Sequence, residues 1–207
     1  MENSVGCLLF DVREYFGDNR GFFTEIYCQG RLPELGFPDI VQMNASHSSK
    51  NTIRGMHFNL QAPQAKMLRV LEGSIIDIVI DLRKGSPKYG VVELYRLNSP
   101  QQCLLVPEGY AHGFWAQEDN TLLMYGCSRY YAPESDAGIS LLDQQFDFPW
   151  RGVFDKNKYT TTEKDLEWPV FNLGEDIFSY NPEDRFGCNA LSNQLGNRYI
   201  YMTRNYD

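Results

Sequence analysis

Short apolar and β-branched runs recur along the chain, broken by Gly, Pro, Asn and Ser. Gly21–Tyr27, Ala65–Leu71, Ile75–Arg83, Val91–Arg96, Gln102–Val106 and Thr121–Tyr125 each have the length and punctuation of a strand. Many short strands of this kind predict an all-β sandwich or barrel. Ile75–Arg83 is the most informative. Side chains on a strand alternate faces, so Ile76, Ile78, Ile80 and Leu82 share one side and Asp77, Val79 and Asp81 the other. The aliphatic face must pack against something. The carboxylate face suits a polar barrel interior or solvent, and the pattern alone leans to solvent. Two short helices are expected. One covers Arg31–Leu35 and is closed by Gly36 and Pro38. The other begins at the capping pattern Thr162-Glu163-Lys164-Asp165. From about Trp168 the character changes. Asn172–Asp207 is rich in Asn, Asp, Gly and Tyr, with one strand-like piece at Tyr199–Thr203. The expected organisation is a main domain, 1–170, and a C-terminal appendage, 171–207, packing on the core or on a partner subunit.

Composition narrows the classes. A chain of 207 residues can bury one good core and carry an appendage. Its 13 Phe and 13 Tyr favour pleated, half-buried surfaces and tilt the reading further toward sheet. The net charge is −8 with no basic stripe, which speaks against a nucleic-acid binder. A small anionic ligand stays open, because a few local Arg and Lys outweigh a global charge. Five cysteines, an odd number with no CxxC pair, read as free thiols in a reducing cytoplasm. The N-terminus lacks the basic-then-apolar pattern of a signal peptide. No apolar run approaches the ~20 residues needed to span a bilayer.

Of the three histidines, His57 sits in Arg54-Gly55-Met56-His57-Phe58 and His112 in Pro107-Glu108-Gly109-Tyr110-Ala111-His112-Gly113-Phe114. The second string has the P-x-G-x-x-H spacing of many cupin barrels, where Pro and Gly turn the chain into a strand with an inward His. Many cupins hold a metal through an HxH pair; here Phe58 and Asn59 follow His57, so no metal site is expected. His47 reads as a core or surface residue.

These strings belong to a longer ordered set. It comprises Asp18-x-Arg20-Gly21-x-Phe23-x-Glu25, Gln42-x-Asn44-x-Ser46-x-Ser48, Arg54–Phe58, Lys66-Met67-Leu68-Arg69-Val70, and Asp77–Arg83 with Ser86 and Gly90. Pro107–Phe114, Tyr125-x-Cys127-x-x-Tyr130-Tyr131-x-Pro133-Glu134 and Glu163-Lys164-Asp165 complete it. Each string is weak alone, but the ordered set resembles the dTDP-4-dehydrorhamnose 3,5-epimerases from about Phe10 to Pro169. The resemblance implies an all-β, cupin-type jelly-roll barrel with a few short helices and the C-terminal appendage. It implies a cofactor-independent, cytoplasmic epimerase that inverts C3 and/or C5 of a nucleotide-linked 4-keto-6-deoxyhexose. The proton removed lies α to the C4 ketone, and the substrate's own carbonyl is the electron sink, so no cofactor is needed.

By the same resemblance His57 matches the base, since an imidazole titrates near neutrality. Asp165 matches the carboxylate that fixes its tautomer, Lys66 the cation on the enolate oxygen, and Tyr125 the acid on the opposite face. Arg54 and Gln42 match residues that hold the diphosphate, which a guanidinium grips bidentately. Arg20, Phe23 and Glu25 match a strand that reaches the nucleotide, often across a dimer interface. Asn44, Ser48, Asp81, His112 and Tyr131 would line the pocket, although Asp81 and His112 could equally form a buried structural pair. A homodimer and a nucleotide-sugar substrate are the implied partners. Asn59 stands where the family often has Gln, and the tail beyond Trp168 is longer than usual. The rival readings are a sugar-nucleotide keto-isomerase, a non-catalytic sugar-nucleotide-binding cupin, and a metal-dependent cupin enzyme.

Overall fold

In the computed structural model, which describes residues 6–182, the alternating segments become two facing five-stranded sheets. The elements in chain order are β1 (Leu8–Asp11), β2 (Tyr15–Asp18), β3 (Gly21–Thr24), α1 (Arg31–Glu34), β4 (Gln42–Ser48), β5 (Ile53–Asn59), β6 (Lys66–Glu72) and β7 (Ile75–Asp81). Then follow β8 (Arg83–Lys84), β9 (Val92–Leu97), β10 (Gln102–Val106), β11 (Tyr110–Ala116), β12 (Thr121–Cys127), β13 (Asp136–Gly138), α2 (Glu163–Glu167) and β14 (Phe178–Ser179). One sheet runs β1-β10-β6-β12-β4 and the other β13-β5-β11-β7-β9, all antiparallel. Consecutive strands often lie in opposite sheets, the arrangement of a jelly-roll barrel.

Three apolar layers hold this sandwich. Between the sheets lie Leu68, Val70, Ile75, Val79, Leu104, Val106, Phe114 and Leu123. Behind the second sheet, Ile76, Ile78, Ile80 and Leu82 pack against Leu141, Phe146, Phe148, Trp150 and Phe171. Behind the first, Leu8, Met67 and Leu105 pack under Leu32 of α1 and Phe37. The irregular stretch 139–171 therefore covers the sheet that the aliphatic face of β7 presents. This corrects the lean to solvent: every residue of β7 is buried, and Asp77 and Asp81 are 0% and 1% exposed. The carboxylate side faces the barrel interior because 139–171 takes the other face.

Several boundaries differ from the pattern for identifiable reasons. The predicted Gly21–Tyr27 strand pairs only to Thr24, because residues 24–26 turn to the Arg69 guanidinium. The run Ile75–Arg83 breaks at Leu82, where Asp81 captures both the backbone N–H and the side chain of Arg83. The β4 strand escapes hydrophobic periodicity because its inward residues are Gln42, Asn44, Ser46 and Ser48. The two helices form where expected, and the Thr162 side chain accepts from the Asp165 N–H. Residues 171–182 lie on the barrel: Phe178 pairs with Arg83 in parallel, and its ring and that of Phe171 meet Phe58 edge-on. The strand-like piece at Tyr199–Thr203 lies outside the described residues. Among the described cysteines Cys7, Cys28, Cys103 and Cys127 are free, and no described helix is long and apolar enough to cross a membrane.

Candidate active site

His57 and Asp165 stand 108 residues apart in sequence and meet at 2.6 Å, Nε2 to Oδ1. Two pieces of local chemistry bring them together. Gly55 has φ 117, and a Cβ there would come within 2.6 Å of the Gly113 backbone. Glycine thus lets β5 press against β11, where His57 pairs with His112. On the other side, Thr160 bonds Ile53 and Asn51 through its backbone, and the Thr162 cap starts α2 directly over β5. The 4% exposed Asp165 side chain then faces a His57 imidazole that is 38% exposed. Burial alone would raise the Asp165 pKa, but the His57 hydrogen bond and charge hold it below the usual carboxylate value. Trp168 approaches the imidazole edge-on, with ring centroids 6.5 Å apart.

Across the barrel, alternation on the first sheet turns Lys66, Tyr125, Asn44 and Ser48 inward. Lys66 and Cys127 are paired, as are Tyr125 and Asn44, so these side chains share one face. Burial lowers the Lys66 pKa, offset in part by Cys127, Asp77 and Asp136. No carboxylate or carbonyl takes its ammonium in a hydrogen bond among the described residues. Burial raises the Tyr125 pKa, with the Arg54 guanidinium pulling the other way. The site's polar rim is interlinked. Gln42 donates to the Asn44 oxygen at 2.9 Å and accepts from the Tyr131 N–H at 2.8 Å, while Arg54 donates to Ser48 Oγ at 3.3 Å and to the His47 carbonyl at 3.4 Å.

A second imidazole–carboxylate pair lies deeper. His112 Nε2 is 2.8 Å from Asp77 Oδ2, and both residues are buried. The alternative reading of His112 and Asp81 as a buried structural pair is not what forms: the partner is Asp77. His112 sits opposite Val79, two positions from either aspartate. Asp81 is taken by Arg83 at 2.7 Å and Ser86 at 2.6 Å, and Arg83 donates in turn to the Tyr110 hydroxyl at 2.8 Å. Asp81 is therefore a structural anchor rather than a pocket residue, and a carboxylate so fully bonded has little left for a ligand. Gly109 has φ 83, and a Cβ there would strike the Arg83 side chain at 2.5 Å, so the glycine before β11 makes room for that anchor.

Arg20, Phe23 and Glu25 do not join the cleft of their own chain. They belong to or adjoin the β2–β3 hairpin, which pairs with no other described strand. Arg20 binds Asp18, Phe23 is 69% exposed, and Glu25 is held by Arg31 at 2.7 Å. Sequence reasoning missed Asp77, Trp168 and Arg69. Asp77 carries the same alternation signal as Asp81, and only the strand register separates them. Among the described residues no group of three His, Cys, Asp or Glu is placed to hold a metal ion.

A jelly-roll barrel with an imidazole–carboxylate pair facing a lysine and a tyrosine across a polar-rimmed cleft defines a cupin-type proton-transfer enzyme. The family model described as dTDP-4-dehydrorhamnose 3,5-epimerase matches residues 5–172, and the chain belongs to that family. Curated relatives carrying that name include one from Methanothermobacter thermautotrophicus, 38% identical over 159 residues, 75% of this chain and 84% of the relative. Another, from Escherichia coli, is 40% identical over 140 residues, 65% of this chain and 75% of the relative. Solved structures agree. The Bacillus anthracis enzyme with TDP and PPi bound is 37% identical, with TM-score 0.71, over 80% of this chain and 94% of that one. The Legionella pneumophila enzyme in complex with dTDP-4-keto-L-rhamnose is 30% identical, with TM-score 0.71, over 84% and 99%.

Proposed function

We propose that this epimerase removes the proton α to the C4 ketone of a dTDP-linked 4-keto-6-deoxyhexose and returns one to the opposite face, at C3, C5 or both. The observation that carries this reading is the His57–Asp165 contact at 2.6 Å, one partner buried and the other open to the cleft. Asp165 holds the imidazole with its other nitrogen free for substrate and stabilises the imidazolium that proton abstraction forms. Lys66, whose ammonium has no hydrogen-bond partner among the described residues, receives the enolate oxygen, an interaction typically worth about 3–4 kcal/mol. Tyr125 supplies the proton from the other side. Its raised pKa keeps it protonated at neutral pH, and an enolate is basic enough to take that proton. Water then reprotonates Tyr125 and discharges His57, so solvent hydrogen enters the product.

Arg54 and Gln42 hold the diphosphate at the rim, with Asn44, Ser48 and Tyr131 beside them. His112 forms the floor. The hairpin carrying Arg20 and Phe23 works in a homodimer, completing the nucleotide end of the partner's site. Its exposed Phe16, Phe22 and Phe23 support this, since a two-stranded hairpin is marginal alone and exposed apolar patches mark contact surfaces. We also propose the expected division into a barrel domain, 1–170, and an appendage, 171–207. Incubation with dTDP-4-keto-6-deoxyglucose in deuterated water tests the reaction. One or two enzyme-dependent deuterons per product are expected, counting the carbons inverted; none above background would refute catalysis.

A further inference from the structure

Arg69 is the least expected side chain in the first sheet. Alternation along β6 sends it outward, away from the cleft, under α1 and among Met67, Cys103 and Leu32. It is 1% exposed, and burial pulls its pKa down. A Leu or Met there would fill the space without desolvating a charge, and a buried guanidinium is costly unless hydrogen bonds replace its lost water. No carboxylate takes it in a hydrogen bond among the described residues. Its partners are backbone and hydroxyl oxygens: the Glu25 carbonyl at 3.0 Å, the Ile26 carbonyl at 3.4 Å, Thr24 Oγ1 at 3.0 Å and the Pro100 carbonyl at 2.5 Å. Three of the four lie on the segment that leaves the β2–β3 hairpin.

The other ties at the hairpin root are weaker. Glu25 N–H bonds the Glu14 carbonyl at 3.1 Å, and Arg31 bridges the Glu14 and Glu25 carboxylates at 3.0 and 2.7 Å. Arg31 is 50% exposed, and exposed ion pairs are screened by water and contribute little. The buried Arg69 therefore decides the direction in which the arm leaves the sheet. We propose that Arg69 is a positioning residue: it fixes the root of the β2–β3 hairpin so that Arg20 and Phe23 at its tip meet the nucleotide end of a second copy's site. This rests on the reading that the hairpin works across a dimer.

The test uses differently tagged chains, co-expressed and separated as heterodimers. In the R69M homodimer KM for the dTDP-sugar rises about tenfold or more while kcat stays within about threefold, because binding is lost rather than chemistry. R69K, which keeps the charge and some donors, recovers part of the KM. The heterodimer of R69M with H57N returns to the wild-type KM at half the kcat per dimer. Its competent site combines His57 of the R69M chain with the intact hairpin of the H57N chain. If F23A is complemented in this way and R69M is not, the arm works in trans but Arg69 does not position it, and the proposal fails. If neither is complemented, the trans reading falls and this proposal with it. Should R69M not fold, R69K and T24V carry the test: a two- to fivefold rise in KM supports the assignment, and an unchanged KM in both overturns it.

Discussion

The barrel holds two imidazole–carboxylate pairs built from the same atoms at nearly the same distance, 2.6 Å for His57–Asp165 and 2.8 Å for His112–Asp77. They differ in exposure. His57 opens to the cleft at 38%, whereas His112 is 9% exposed and its aspartate fully buried. Electrostatics follow. Asp165 lies below the usual carboxylate value, because its desolvation is outweighed by His57, the Thr162 cap and the Gly55 N–H. Asp77 is raised, because burial outweighs the help from His112 and Lys66. Burial also lowers the His112 pKa against the pull of Asp77. The half-open pair keeps an ionised carboxylate beneath an imidazole that is open to the cleft. The closed pair, with Asp77 Oδ1 lacking any hydrogen bond among the described residues, is driven toward neutrality and serves the barrel's interior. Identical chemistry thus serves two ends, and access to water decides which.

The widest separation between the pairs is expected in rate. His57→Asn should cut solvent exchange at the substrate carbon by roughly 10²–10⁴-fold, the usual range for losing a positioned base. Binding of dTDP should be nearly unchanged, because the diphosphate contacts proposed for Arg54 and Gln42 are left in place. Exchange and calorimetric titration on the same preparation read both quantities. Near-normal exchange would mean that the base has been assigned to the wrong histidine.

Stability should separate the pairs in the opposite sense. Asp77→Ala strips the buried His112 of its hydrogen-bond partner, and leaving a buried polar group unsatisfied costs about 1–3 kcal/mol. His57→Asn, at a partly open site, should cost less than about 1.5 kcal/mol. Urea unfolding followed by tryptophan fluorescence measures both. If the two variants lose equal stability, burial does not divide the pairs as argued.

The smallest contrast is in pH. The folded Asp165 binds its proton more weakly than the unfolded chain, so its contribution is full above the usual 3.8 and lost as pH falls through the folded value. Asp77 has the opposite sign. Between 3.8 and its raised folded value the native state keeps a proton that the unfolded chain has released, so stability falls as pH rises. Asp165→Asn should therefore flatten the acid limb of a stability–pH curve, and Asp77→Asn should steepen it. Equal effects of the two substitutions would remove the electrostatic basis of the comparison.

Much of this was legible in the chain itself. Local rules sufficed for the strands with an apolar face, for α1 before Gly36 and Pro38, and for the Thr162 cap, because each depends on neighbours a few residues away. The ordered strings pointed to His57, Lys66, Tyr125 and Asp165 together. The polar strand β4 was hidden from periodicity, because a strand lining a cleft presents Gln, Asn and Ser where core strands present Val and Leu. The solvent lean for β7 failed because nothing near it in sequence reveals that 139–171 will cover its second face. Register chose Asp77 over Asp81 for His112, and the capture of Asp81 by Arg83 and Ser86 made that choice one-sided. The hairpin's separation from its own cleft and the clamp on its root by Arg69 were likewise decided in three dimensions. Pattern along a chain records which residues face the same way; only the packing of distant segments determines what they face.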